Sequence, residues 1–145
     1  MRTPLIFVLG VAILSSIAAQ TNPAPPSSLE RFVGSWEIRK NPNTGRANLT
    51  VIIVRERETI TGTVNFVNPD GTTRQLPISQ PEFRGTAPRR SLVYNTEFKG
   101  PTLEFQTLGQ HTVTYWSLTL TSATQGFLRG DEHELLIEEK VKKRR

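Results

Sequence analysis

The chain has 145 residues, 36% of them hydrophobic, with ten Gly, ten Pro, no Cys and a formal charge of +5. That composition fits one globular domain and excludes both a disulfide framework and a thiolate metal centre. Of the 18 basic residues, six are Arg2 and the cluster Lys140, Lys142, Lys143, Arg144 and Arg145; the other 12 face 13 acids, so the near-neutral body lacks the basic stripe that phosphate-backbone binding demands, and nucleic acid is not an expected partner.

Residues 1–19 read as a secretory signal. Arg2 gives the positive start, residues 5–14 the apolar stretch, and Ser15, Ser16, Ala18 and Ala19 the small-residue region, with cleavage expected after Ala18 or Ala19. A spanning helix needs about 20 apolar residues, more than this segment offers before Gln20 and Thr21. The expected location is therefore secreted or periplasmic. Residues 20–29 form a spacer in which Pro23, Pro25 and Pro26 oppose both pairing and coiling. A β-domain is expected over 30–141, and 142–145 is left as a basic tail suited to weak contact with an anionic surface.

Within the body no period of 3.6 is sustained, whereas β-branched and aromatic residues alternate with polar ones. Ile60, Gly62, Val64 and Phe66 share one face of a strand; Thr61, Thr63 and Asn65 share the other. This strand runs into Asn68-Pro69-Asp70-Gly71, a turn sequence, and then into a partner over 73–78. Similar runs cover 33–39, 49–56, 91–98, 102–107, 112–120, 125–129 and 134–141, which makes about nine strands, one of them irregular. Short connections require antiparallel neighbours. Over 112–120 the apolar phase changes between Tyr115 and Trp116, for which a bulge there or burial on both faces is expected; Pro77 and Pro81 mark an edge or a corner. Such an all-β chain hides its edges in a closed barrel or, alternatively, in a β-sandwich.

Gly34-Ser35-Trp36 opens the first strand, and Thr61-Gly62-Thr63 lies in the third. These segments resemble the calycin group, the lipocalins and avidins, and are similar to short lipocalin-like domains of secreted bacterial proteins. The resemblance implies an antiparallel up-and-down barrel of about eight strands, with Gly34 and Trp36 as structural residues at its closed end. It also implies a basic residue of the last strand, Lys140 or Lys142, over the Trp36 ring. The central Thr-Asp-Tyr motif of lipocalins is missing, as are the several Trp residues of the avidin biotin site, since Trp116 is the only other Trp.

Little catalytic chemistry is legible. There is no Cys and no Gly-x-Ser-x-Gly elbow, so no catalytic residue is assigned and no enzyme activity is expected. His111 and His133 are the only histidines; Asp131-Glu132-His133-Glu134 is divided between two faces by strand alternation, so neither a metal nor another cofactor is expected. Arg129-Gly130-Asp131 reads as a turn, Asn48-Leu49-Thr50 as a glycosylation sequon, and Arg84, Arg89 and Arg90 as a basic rim for an anionic ligand or a solvated loop. An outer-membrane barrel would carry two aromatic girdles, for which two Trp and two Tyr are too few. Two functional readings follow. Either the barrel is a calyx holding a small apolar or amphipathic ligand against Phe66, Tyr94, Phe98 and Phe105, or it is filled and serves as a non-catalytic envelope or extracellular interaction module.

Overall fold

Eight antiparallel strands close on themselves in the computed structural model, which describes residues 28–38, 48–68, 70–132 and 135–145. They are β1 (Gly34–Ile38), β2 (Asn48–Glu56), β3 (Thr59–Val67), β4 (Thr73–Phe83), β7 (Thr102–Leu108), β8 (Val113–Leu120), β9 (Gln125–Glu132) and β10 (Leu135–Lys143). Two short strands, β5 (Arg89–Arg90) and β6 (Glu97–Phe98), form a separate hairpin between β4 and β7. The order β1-β10-β9-β8-β7-β4-β3-β2 returns to β1, so the fold is a meander barrel and not a sandwich. The irregular ninth run, 91–98, is not a barrel strand. It is the tip and return arm of the hairpin.

Register explains the core. Trp36 lies opposite Val51, Val51 opposite Val64, and Val64 opposite Leu76, and all four are buried. On the other side of the barrel Leu103, Leu118 and Leu128 form a second inward row. The expected bulge at Tyr115-Trp116 is not needed. Pairing from Thr102↔Thr119 to Leu108↔Val113 is continuous, and the phase change arises because Val113 and Tyr115 face outward and are exposed. A register shift does occur between Ser79 and Glu82, where Gln80 has φ 48° and Pro81 needs no ladder donor. Pro77, by contrast, lies within the β3–β4 ladder, opposite Thr63.

The ends are sealed by local chemistry. A short 3-10 turn, Glu30–Phe32, inserts the fully buried Phe32 beneath Trp36, whose indole N–H donates to the Phe32 carbonyl at 2.8 Å. At the β3–β4 turn, the Thr72 amide and hydroxyl both donate to Asp70 Oδ1, at 2.9 and 2.6 Å, and the Gly71 amide donates to the Asn68 carbonyl at 2.9 Å. Gly71 takes φ +83°, the left-handed conformation that such a turn requires. Pro69 lies outside the described residues.

Candidate functional site

Inside the barrel, Phe66 and Phe105 are brought together by Trp116. Ring centroids lie 6.0 Å apart for Phe66–Trp116 and 6.3 Å for the stacked pair Phe105–Trp116. The Trp116 indole N–H donates to Thr107 Oγ1 at 2.9 Å, so the buried ring has its one polar atom satisfied. Across the strand, Gly130 makes room for it, since a Cβ there would lie 2.6 Å from Trp116 Cζ3. Arg74 stands over the Phe66 ring at 5.5 Å. Gly62 opens no interior space: a Cβ on it would collide with the Ile52 carbonyl, so the glycine serves close backbone approach between β2 and β3.

Tyr94 and Phe98 are not in this interior. They lie on the barrel's outer surface against the outward-facing Phe127 of β9, with centroids 5.7 and 4.5 Å from its ring. The physical reason is the hairpin: residues 84–101 leave the wall after β4 and cross the outer faces of β8–β10 before re-entering as β7. Lys140, opposite Phe127 in the ladder, therefore stands 5.3 Å from the Tyr94 ring and not over Trp36. The residue over Trp36 is Lys143, at 5.4 Å, and its stem fills the space that a side chain at Gly34 would need. β10 thus continues two residues past the expected boundary at 141.

One buried carboxylate fastens the hairpin to the barrel. Glu138 faces outward from β10, yet its residue is only 2% exposed, because residues 91–93 cover it. It accepts hydrogen bonds from the Ser91 hydroxyl at 2.7 Å, the Leu92 amide at 3.1 Å and the Val93 amide at 2.8 Å, while Ser91 Oγ accepts the Tyr94 amide at 2.9 Å. Arg129 adds an ion pair at 3.7 Å. Burial favours the neutral acid, but the Val93 amide, the Ser91 hydroxyl, the Leu92 amide and Arg129 together outweigh it and hold Glu138 below the ordinary carboxylate range. Ser91 is buried and its hydroxyl acts as both donor and acceptor, so this Ser–Glu contact ties the hairpin to β10.

The arginines expected as a basic rim are paired. Arg84 and Arg89 grip the two oxygens of Glu104 at 2.8 and 3.1 Å, and Arg84 also meets Glu82 at 2.9 Å. Arg90 donates to Asn95 Oδ1 at 2.6 Å. Arg84, Arg89 and Glu104 border a polar cleft of about 440 Å³ with Tyr115, Arg129 and Asp131. A second cleft of about 470 Å³ lies on the other side of the hairpin, where Phe98 and Phe127 meet Lys140 and Lys142. Among the described residues no three His, Asp or Glu gather as metal ligands; His133 and Glu134 lie outside them. Residues 1–27, which hold the expected signal and most of the expected spacer, also lie outside. Asn48 is exposed at the start of β2.

Sequence reasoning missed Glu138, Ser91 and Phe127. Glu138 and Phe127 sit at outward strand positions, where a carboxylate or a single aromatic ordinarily meets solvent, Ser91 lies in the hairpin outside the wall, and no local pattern announces that the hairpin covers the other two. No family model matches the chain, and neither a curated protein nor a solved structure matches it. The likeness to calycins accordingly rests on the closed eight-stranded antiparallel barrel.

Proposed function

We propose that this is an exported, non-catalytic interaction module: a filled barrel that binds through its outer face and the hairpin fastened there. The observation that carries this reading is the exposed run at the hairpin tip. Leu92 is 64% exposed, Val93 60% and Tyr94 42%, although their backbone is held by Glu138 and Ser91. Contiguous apolar surface is uncommon on a monomer and marks contact sites. Holding it in one conformation lowers the entropy cost of binding there. Support also comes from the interior, where Trp36, Phe105, Trp116, Leu103, Leu118 and Leu128 are all buried and two of the four aromatics expected to line a calyx lie outside it.

Native mass spectrometry of the protein purified from its own host tests the reading. The bare mass of the exported chain is expected. A retained small molecule whose release lowers the melting temperature would instead favour an interior ligand, because a ligand bound only to the native state stabilises it.

A further inference from the structure

We infer that the partner of this surface is an anionic lipid bilayer, with the tip Leu92-Val93-Tyr94 entering the interface and Lys140 and Lys142 engaging headgroup phosphates; the inference rests on the outer-face reading above. Two independent features carry it. The first is the tip itself, three consecutive exposed apolar residues ending in a ring whose amphipathic character suits the boundary between headgroup and acyl chain. The second is charge. Lys140 stands over the Tyr94 ring, Lys142 follows two residues along the same outer face of β10, and Arg90 flanks the tip.

The acidic groups near these cations are already engaged or set against a cation. Glu97 lies opposite Arg90 in the hairpin, Glu37 lies opposite Lys142 in the ladder and pairs with Arg144 at 3.4 Å, and Glu138 is buried beneath the tip with its oxygens already taken. The cleft of about 470 Å³ joins an apolar floor, Phe98 and Phe127, to a rim on which Lys140 and Lys142 outnumber the single carboxylate Glu97, an arrangement that matches the phosphate-to-acyl junction of a phospholipid. A protein partner would be recognised by shape and hydrogen bonds. The features here, an apolar tip and point charges on flexible stems, instead match a fluid anionic surface.

The test is sedimentation of the purified protein with vesicles of phosphatidylcholine alone and of phosphatidylcholine mixed with phosphatidylglycerol, at low and near-physiological salt. Binding is expected to the mixed vesicles and to fall with salt. Leu92→Ser with Val93→Ser is expected to weaken it about tenfold by removing apolar burial, and Lys140→Glu by roughly the same factor. Leu92 and Val93 are exposed, so an unchanged circular dichroism spectrum and melting temperature are expected for that variant; Lys140→Glu gives up the contact with the Tyr94 ring, so an unchanged spectrum with a slightly lowered melting temperature is expected for it. Absence of vesicle binding, or binding that neither variant weakens, overturns the inference. Self-association abolished by the same substitutions, without vesicle binding, assigns the tip to a second copy and overturns it as well. An interior ligand found by native mass spectrometry sinks the broader reading independently of vesicles; failure on vesicles with a bare barrel leaves that reading standing.

Discussion

Glu138 and Ser91, 47 positions apart in the chain, meet at 2.7 Å beneath the hairpin that crosses the barrel's outer face. The contact converts a strand position that parity assigns to solvent into the anchor of a separate structural unit. One carboxylate oxygen receives the Ser91 hydroxyl and the Val93 amide, the other the Leu92 amide.

Glu138→Gln is expected to loosen this anchor. Gln keeps the shape but replaces one acceptor oxygen by an NH2 group, which then faces a donor, and it removes the charge opposite Arg129. A loss of about 1–3 kcal/mol is expected. Amide hydrogen exchange should accelerate at Leu92, Val93 and Tyr94 while the amides of β2 and β3 stay protected. Unchanged exchange at those three amides would remove Glu138 from the role of anchor.

The same carboxylate sets a pH dependence. Its native pKa lies below the ordinary value, so the unfolded chain takes up the proton first as pH falls. The stabilisation is therefore complete above the unfolded carboxylate pKa of about 4.3 and declines as pH falls through the lower native value. Protonation also removes the ion pair that Glu138 makes with Arg129 at 3.7 Å. A titration of Glu138 by carboxyl NMR should report the depressed value, and the hairpin amides should lose protection over the same pH window. A titration at or above the ordinary carboxylate value would contradict the sign.

Gly130→Ala is expected to destabilise the barrel although Ala favours strands more than Gly does. The new Cβ would lie 2.6 Å from Trp116 Cζ3, and the ring, held by Thr107 and packed between Phe66 and Phe105, has nowhere to retreat. Overpacking of this kind costs about 1–3 kcal/mol. Trp116→Leu in the same chain should recover part of that loss, because the clash disappears while the row stays apolar. If the two substitutions prove additive in a thermal or urea titration, Gly130 is not there to admit the ring.

The barrel was legible in the sequence because its strands alternate cleanly and its connections are short. Ile60, Gly62, Val64 and Phe66 do share the inward face. Parity, however, tells which residues lie on one face of a strand, not whether that face looks into the barrel. Tyr94 and Phe98 lie in a segment that never enters the wall, and a turn with Asn95 at φ 49° breaks its alternation, so both rings meet Phe127 from outside. Glu138 shows the converse limit. Its anchoring role depends on a segment distant in sequence, and nothing in the neighbouring residues distinguishes it from the exposed Lys140 or Lys142.

The last strand supplies the final prediction, since the run of basic residues at its end is partly structural. The Lys143 amide donates to the Thr124 carbonyl at 2.8 Å, the Arg144 amide to the Ser35 carbonyl at 2.8 Å, and the Lys143 ammonium lies over Trp36. Removing residues 142–145 therefore strips these contacts, the ladder pairing of Lys142 and Lys143 with β1 and the Arg144–Glu37 ion pair, and a lowered melting temperature is expected. Lys143→Ala alone should cost about 0.5–2 kcal/mol, the range of a cation–π contact. Trp36→Ala should cost about 3–5 kcal/mol, because the ring is fully buried, fills the closed end and holds Phe32 through its indole N–H. The pair is coupled through one contact, so the double variant should lose less than the sum of the two single losses. Additive losses in a urea denaturation cycle would show that Lys143 acts through its stem and backbone, with no energetic share in the ring.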